Sequence, residues 1–185
     1  MITLNCLTGN ISKFKEIQSF LENSDIKLKQ LNINLDEIQE VDAKRIIEHK
    51  AQEAIRQGYS NFFLDDTSLY IKGLGNLPGP LIKWFLQELK TAGIAKLAKR
   101  SGDVSARAVT IIAYVDKKKQ IHYFIGTTLG RIVAPRGTQG FGWDSIFLPE
   151  KSRETFAEMS PKTKQPKNPR IKALKKFLAA VHNLA

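Results

Sequence analysis

The chain reads as a mixed α/β fold, and three features of its pattern carry that reading. Apolar strand patterns alternate with helical ones from Ile2 to Leu69, a hairpin pattern fills the middle, and an amphipathic helix closes the chain. The 185 residues suffice for one sizeable core, so a single domain over 1–185 is expected. Apolar residues make up 42% and charged residues 25%, ordinary proportions for a globular protein.

Ile2 to Leu7 is a short apolar strand, not the basic-then-apolar start of a signal peptide. No apolar run approaches the roughly 18 residues of a membrane span, so no membrane partner is expected. The single cysteine, Cys6, lies in that strand, allows no internal disulfide and fits a reducing, cytoplasmic setting. It reads as a small buried apolar residue. Thr8-Gly9-Asn10 follows, then a helical pattern with Phe14, Ile17, Phe20 and Leu21 on one face. A strand, a glycine turn and a helix start can present backbone N–H groups to an anion, and Lys13 adds a positive charge. Alone the triplet is equally an ordinary cap, and no Walker loop is present.

Ile26 to Leu35 alternates in part, as a half-buried strand does, and runs into an acidic loop, Asp36 to Glu40. Asp42 is placed to cap a helix through about Gln57, with Ile46, Ile47, Ala51, Ala54 and Ile55 inward. The loop acids suit the helix dipole, and equally an oxygen ligand for Mg2+. Phe62-Phe63-Leu64-Asp65-Asp66-Thr67-Ser68-Leu69 is an apolar run ending in two carboxylates and two hydroxyls. Strand side chains alternate, so at most one of Asp65 and Asp66 is expected to meet a substrate directly. The same residues would also suit a polar turn.

After the Gly73–Pro80 loop, Pro80 is expected at a first helical position, with Leu81, Trp84, Phe85 and Leu89 on one apolar face. Gly93 to Arg100 reads as a further short helix. Val104 to Val115 and Gln120 to Gly130 form the hairpin, joined by Asp116–Lys119. Phe141-Gly142-Trp143-Asp144 offers aromatics for stacking on a planar base and an acid for its polar edge, or a packed structural turn. A strand over Ile146 to Leu148 follows. Asn168 and Pro169 are good cap and first-turn residues for a closing helix with Ile171, Leu174, Phe177 and Val181 inward.

The net charge is +11, and residues 150–185 hold nine Lys/Arg against three Glu. Such a surplus attracts phosphate, whether as nucleotide or nucleic acid. A basic nucleic-acid-binding module without turnover is therefore one alternative, although no nucleic-acid motif occurs.

Seven segments in order resemble the inosine/xanthosine triphosphate pyrophosphatase family: Thr8–Asn10 with Lys13, Glu37–Gln39, Asp65–Leu69, Gly75–Pro80 with Lys83–Phe85, Gly130–Gly137, Phe141–Asp144 and Thr155–Pro161. The resemblance implies an elongated mixed sheet flanked by helices, with a nucleotide cleft between two lobes. It implies hydrolysis of ITP, dITP and XTP to the monophosphate and pyrophosphate with Mg2+, usually by a homodimer, with no nucleic-acid partner. Carried over by position, Thr8, Gly9, Asn10 and Lys13 would bind phosphates. Glu37 and Asp66 would hold the metal. Asp66 would act as base with Asp65 assisting, and Lys50 and Thr67 would lie near the substrate. Phe141, Gly142, Trp143 and Asp144 would surround the base, and Lys164, Asn168 and Arg170 would close the site. One departure stands out: the family's Ser-His-Arg is Asn168-Pro169-Arg170 here, and Pro169 supplies neither an imidazole nor an N–H. The same reaction with a shifted base preference is the resulting second expectation.

Overall fold

The structure, a computed structural model, describes residues 2–184. A seven-stranded mixed sheet forms its centre, in the order β2 (Ile26–Leu31), β1 (Ile2–Leu7), β3 (Phe62–Ile71), β5 (Ser105–Val115), β6 (Ile121–Ile132), β7 (Phe147–Pro149). A two-residue strand, β4 (Pro78–Gly79), pairs with the far end of β3. β1 runs parallel to β2 and β3, and the remaining ladders are antiparallel. The expected hairpin is present, closed at Asp116, whose Oδ1 accepts from the N–H groups of Lys118 and Gln120 at 2.8 and 2.9 Å.

Helices cover the sheet. α1 (Ile11–Leu21) begins at Asn10, whose side chain accepts from Lys13 N–H at 3.1 Å. α2 (Ala43–Arg56) begins at Asp42 as expected, and Ile46, Ile47, Ala51 and Ala54 are buried. α5 (Pro169–Leu184) begins after Asn168, which accepts from Arg170 N–H at 2.9 Å. These side chains satisfy donors that a helix start leaves without intrahelical partners.

Three local expectations differ. The second strand ends at Leu31, and the chain through residue 40 is irregular. α3 (Ile82–Arg100) starts two residues after Pro80, and non-helical Lys90 (φ 55°, ψ 177°) divides it into two helices, as expected. Its inward side chains are Ile82, Phe85, Leu86, Ile94 and Ala98, while Trp84 and Leu89 are exposed. A one-turn α4 (Pro161–Lys164), capped by Ser160, precedes α5.

The core has three parts, and the two-residue period of β3 distributes it. Phe63 packs with α1 and α5, through Ile17, Leu21, Leu174 and Phe177. Phe62 and Leu64 face the other way, onto Ala43, Ile47, Ala51 and Ala54 of α2. Leu69 and Ile71 join α3, Phe147 and Phe156. Gly126 of β6 lets α5 lie close on the sheet: a Cβ there would stand 2.0 Å from Pro169 O.

Candidate active site

β3 is paired along its whole length on the β5 side. On the other side β1 reaches only Phe62 and Phe63, and β4 only Leu69 and Tyr70. Residues 64–68 thus carry an open edge, where β1 has turned into Thr8-Gly9-Asn10. β1 has β2 on one side and β3 on the other, and such switch points at strand C-termini open a crevice. A cavity of about 620 Å³ lies here. Five cations line it (Lys13, Lys50, Lys83, Lys164, Arg170), with five carboxylates (Glu16, Glu37, Asp65, Asp66, Asp144).

All the site residues named from the sequence line this cavity: Thr8, Gly9, Asn10, Lys13, Glu37, Lys50, Asp65, Asp66, Thr67, Phe141, Gly142, Trp143, Asp144, Lys164, Asn168 and Arg170. The expected alternation of the aspartates holds, yet both reach the cavity because the β3 edge is open between the faces. Asp65 shares the Phe63 face with α1 and α5. Its Oδ2 lies 3.0 Å from Arg170 Nε and 3.4 Å from Lys13 Nζ, and its side chain has no exposure. Burial opposes its charge, but Lys13 and Arg170 outweigh it and hold the carboxyl down at about 2. Asp66 lies on the opposite face, toward Lys50 and Glu37. Burial pushes its carboxyl above the ordinary range, with Lys13 and Lys50 acting against that shift. Asp65 Oδ1, Asp66 Oδ2 and Ser68 Oγ are buried without a hydrogen-bond partner. Three such atoms on one strand are unusual in a folded interior and mark a segment shaped for something besides packing.

Toward α2, Lys50 Nζ lies 2.6 Å from Glu37 Oε1. Burial works against the Glu37 charge, but Lys50, Lys83 and Lys13 prevail and lower its pKa. Glu37 and Asp66 line the same cavity, and Asp66 Oδ2 is buried without a hydrogen-bond partner. Among the described residues no cluster of three His, Cys, Asp or Glu could hold a metal. Two protein carboxylates fit Mg2+, which keeps waters and takes substrate phosphates as further ligands.

At the other end, Arg170 is 4% exposed. Besides Asp65 it donates to Thr67 Oγ1 at 3.2 Å and pairs with Glu16 of α1. Burial disfavours its charge, but Asp65 and Glu16 more than restore it, so the guanidinium stays protonated. Thr67 also bonds Thr110 at 2.8 Å, so its hydroxyl serves Arg170 from inside the sheet. Phe141 faces two cations, Lys164 Nζ at 5.7 Å and Arg170 Cζ at 5.9 Å from its centroid. Trp143 is half-buried against Phe147, with ring centroids 5.4 Å apart. Asp144 Oδ2 accepts from Lys164 Nζ at 2.7 Å and from Phe141 N–H at 3.0 Å. Burial raises its pKa, and Lys164 counters part of the rise. Asn168 spends both polar side-chain atoms within the protein, on Arg170 N–H and on Glu16 at 2.7 Å.

Sequence reasoning missed Glu16 and singled out no role for Lys83. Glu16 sits on α1 beside inward Ile17 and looks like a solvated charge in the local pattern. Its partners, Lys164, Asn168 and Arg170, lie about 150 residues away, and only the folded sheet joins them. Cys6 is buried as expected, and burial with nearby Asp65 pushes its thiol far up, so no thiolate forms near neutrality.

The model of the Ham1 family matches residues 4–180. The chain belongs to the Ham1 family. It is 41% identical over 184 residues to a Candida glabrata protein named inosine triphosphate pyrophosphatase, covering 94% of this chain and 96% of the relative. The Saccharomyces cerevisiae protein of the same name is 38% identical over 180 residues, covering 92% and 91%. Among solved structures, the Staphylococcus aureus Ham1 protein superposes with a TM-score of 0.82 at 22% identity, covering 98% of each chain. A Mycobacterium abscessus dITP/XTP pyrophosphatase gives 0.73 at 24% identity, covering 96% and 99%. These two structures support the fold alone. Membership of the Ham1 family bears out the expected resemblance, and the observed sheet bears out the mixed α/β class.

Proposed function

We propose that this chain hydrolyses the triphosphates of deaminated purines, ITP, dITP and XTP, to the monophosphate and pyrophosphate. The observation that carries the reading is the open β3 edge. There a buried carboxylate with an unpartnered oxygen, Asp66, stands among Lys13, Lys50 and Glu37 in a cavity whose other end is lined by Phe141, Lys164 and Arg170. The names of the curated relatives support the substrate class.

In this reading Thr8, Gly9 and Asn10 place the first-turn N–H groups of α1 against phosphate oxygens, and Lys13 and Lys50 carry the charge. Asp66 orients a water in line with the α-phosphorus and takes its proton. Asp65 is held too acidic for that work and instead fixes Lys13 and Arg170. Glu37 and Asp66 would hold Mg2+, which when bound would neutralise phosphate charge and stabilise the leaving pyrophosphate. The base stacks on Phe141 and Trp143. Arg170 and Lys164 are donors only, so they suit the 6-oxo acceptor of a deaminated purine and leave the 6-amino group of ATP facing donors. The relevant domain is the whole chain, 1–185, acting in the cytoplasm. A homodimer is part of the proposal, with the Gly75–Phe85 stretch, which exposes Leu77 and Trp84, as its contact surface.

The test is product analysis with ITP, XTP, GTP and ATP, with and without Mg2+. Monophosphate and pyrophosphate from ITP and XTP are expected, with ATP poorly used. Release of inorganic phosphate as the first product overturns the reading, as does turnover surviving Asp66→Asn. The second reading, a shifted base preference, rests on Pro169 at the cavity wall. A small margin of ITP over GTP would favour it.

A further inference from the structure

We infer that Asn168 is a positioning residue that sets base discrimination through Glu16 and Arg170; this rests on the hydrolytic reading above. Asn168 is 5% exposed and sits where β3, α1 and α5 converge. Its Oδ1 caps α5 by accepting from Arg170 N–H at 2.9 Å. Its Nδ2 donates to Glu16 Oε1 at 2.7 Å, which turns the other carboxylate oxygen, Oε2, toward the Arg170 guanidinium. One side chain therefore holds Arg170 twice, by its own backbone and by the carboxylate that pairs with its head group.

The consequence lies in the geometry of the guanidinium. Nε is committed to Asp65, Nη2 to Thr67 and Nη1 to Glu16. Each terminal nitrogen keeps one further N–H, and the guanidinium carbon stands 5.9 Å from the Phe141 ring centroid. The direction of those N–H groups is set by the three anchors in the guanidinium plane, because the fork is rigid. Asp65 and Thr67 are fixed by the sheet. Glu16 is the movable anchor, a long side chain on a helix surface with 20% exposure. Besides Arg170 it has Asn168 at hydrogen-bond distance and Lys164 at 3.6 Å. A serine at 168 would retain the cap but be too short to reach Glu16.

The test compares Asn168→Ser with wild type in the full chain, measuring kcat and KM for ITP and ATP and thermal stability. Asn168→Ser should melt near wild type because the cap persists. Its KM for ITP should rise about tenfold with kcat little changed, and its preference for ITP over ATP should narrow. In a Glu16→Gln background, the substitution should have little further effect on that preference. An unchanged preference in Asn168→Ser overturns the inference, and so does an effect of equal size in the Glu16→Gln background, which would make the role local to the helix cap. Wild-type protein that turns over no ITP would overturn the hydrolytic reading and this one together. Wild-type hydrolysis with an unaltered variant overturns this one alone.

Discussion

Asp65→Asn keeps the shape of a side chain with no exposure and removes its charge from between Lys13 and Arg170. Taking away one member of a buried ion pair typically costs about 3–5 kcal/mol, because the remaining charge stays buried. Arg170 retains Glu16 and Thr67, which places the cost toward the lower end. The proton equilibrium points the same way: a carboxyl at about 2 in the fold against an ordinary 3.8 corresponds to about 2 kcal/mol at neutral pH. Asp65→Asn should therefore lose about 2–3 kcal/mol, or roughly 5–10 °C in melting temperature for a chain of this size. The folded pKa is depressed, so the stabilisation is complete above about pH 4 and lost as pH falls through about 2. The gap between variant and wild type should close over that window. Asp66→Asn has the opposite sign. Its carboxyl is raised by burial, so its charge works against folding at neutral pH, and the variant should melt at or above wild type while losing turnover. Paired thermal melts between pH 7 and about pH 2 check this. Wild-type stability of Asp65→Asn at pH 7, or a shift of both variants in the same direction, would refute the division of labour between the two acids.

Other outcomes follow from the same geometry. Glu37→Ala breaks an ion pair whose carboxylate is 45% exposed, so stability should change by less than about 1 kcal/mol. The Mg2+ needed for half-maximal turnover should rise severalfold in a metal titration. Gly140→Ala places a Cβ 2.1 Å from Asp144 Oδ2 at a backbone φ of +80°. It should cost about 1–3 kcal/mol in urea unfolding and raise KM for ITP by displacing Asp144 from Lys164. Gly126→Ala drives a Cβ toward Pro169 O and should lower both melting temperature and kcat/KM, although it lies outside the cavity.

The legible parts of this protein were those written in local periodicity. The caps at Asn10, Asp42 and Asn168, the inward faces of α2 and α5, and the alternation along β3 all follow from short-range pattern. α3 resisted because its apolar residues point both inward and outward, with Trp84 and Leu89 exposed, so no single stripe marked its core face. Its break at Lys90 falls between the two helices that the pattern suggests, three residues ahead of Gly93. The site was legible as a set of motifs, but its wiring was not. Glu16, at the hub of the Arg170 network, has its partners at the other end of the chain. The open edge of β3 is a property of where β1 and β4 stop pairing.

That edge separates two kinds of inheritance. Asp65 answers to α1 and α5, and Asp66 to α2, so the two acids are anchored in different cores. On the proposed mechanism, substitutions that remodel the α1–α5 seam retune which base is admitted while Asp66 and Lys50 stay in place. A laboratory selection for new triphosphate substrates should accordingly collect its changes around Glu16, Lys164 and Asn168, and leave the α2 side alone.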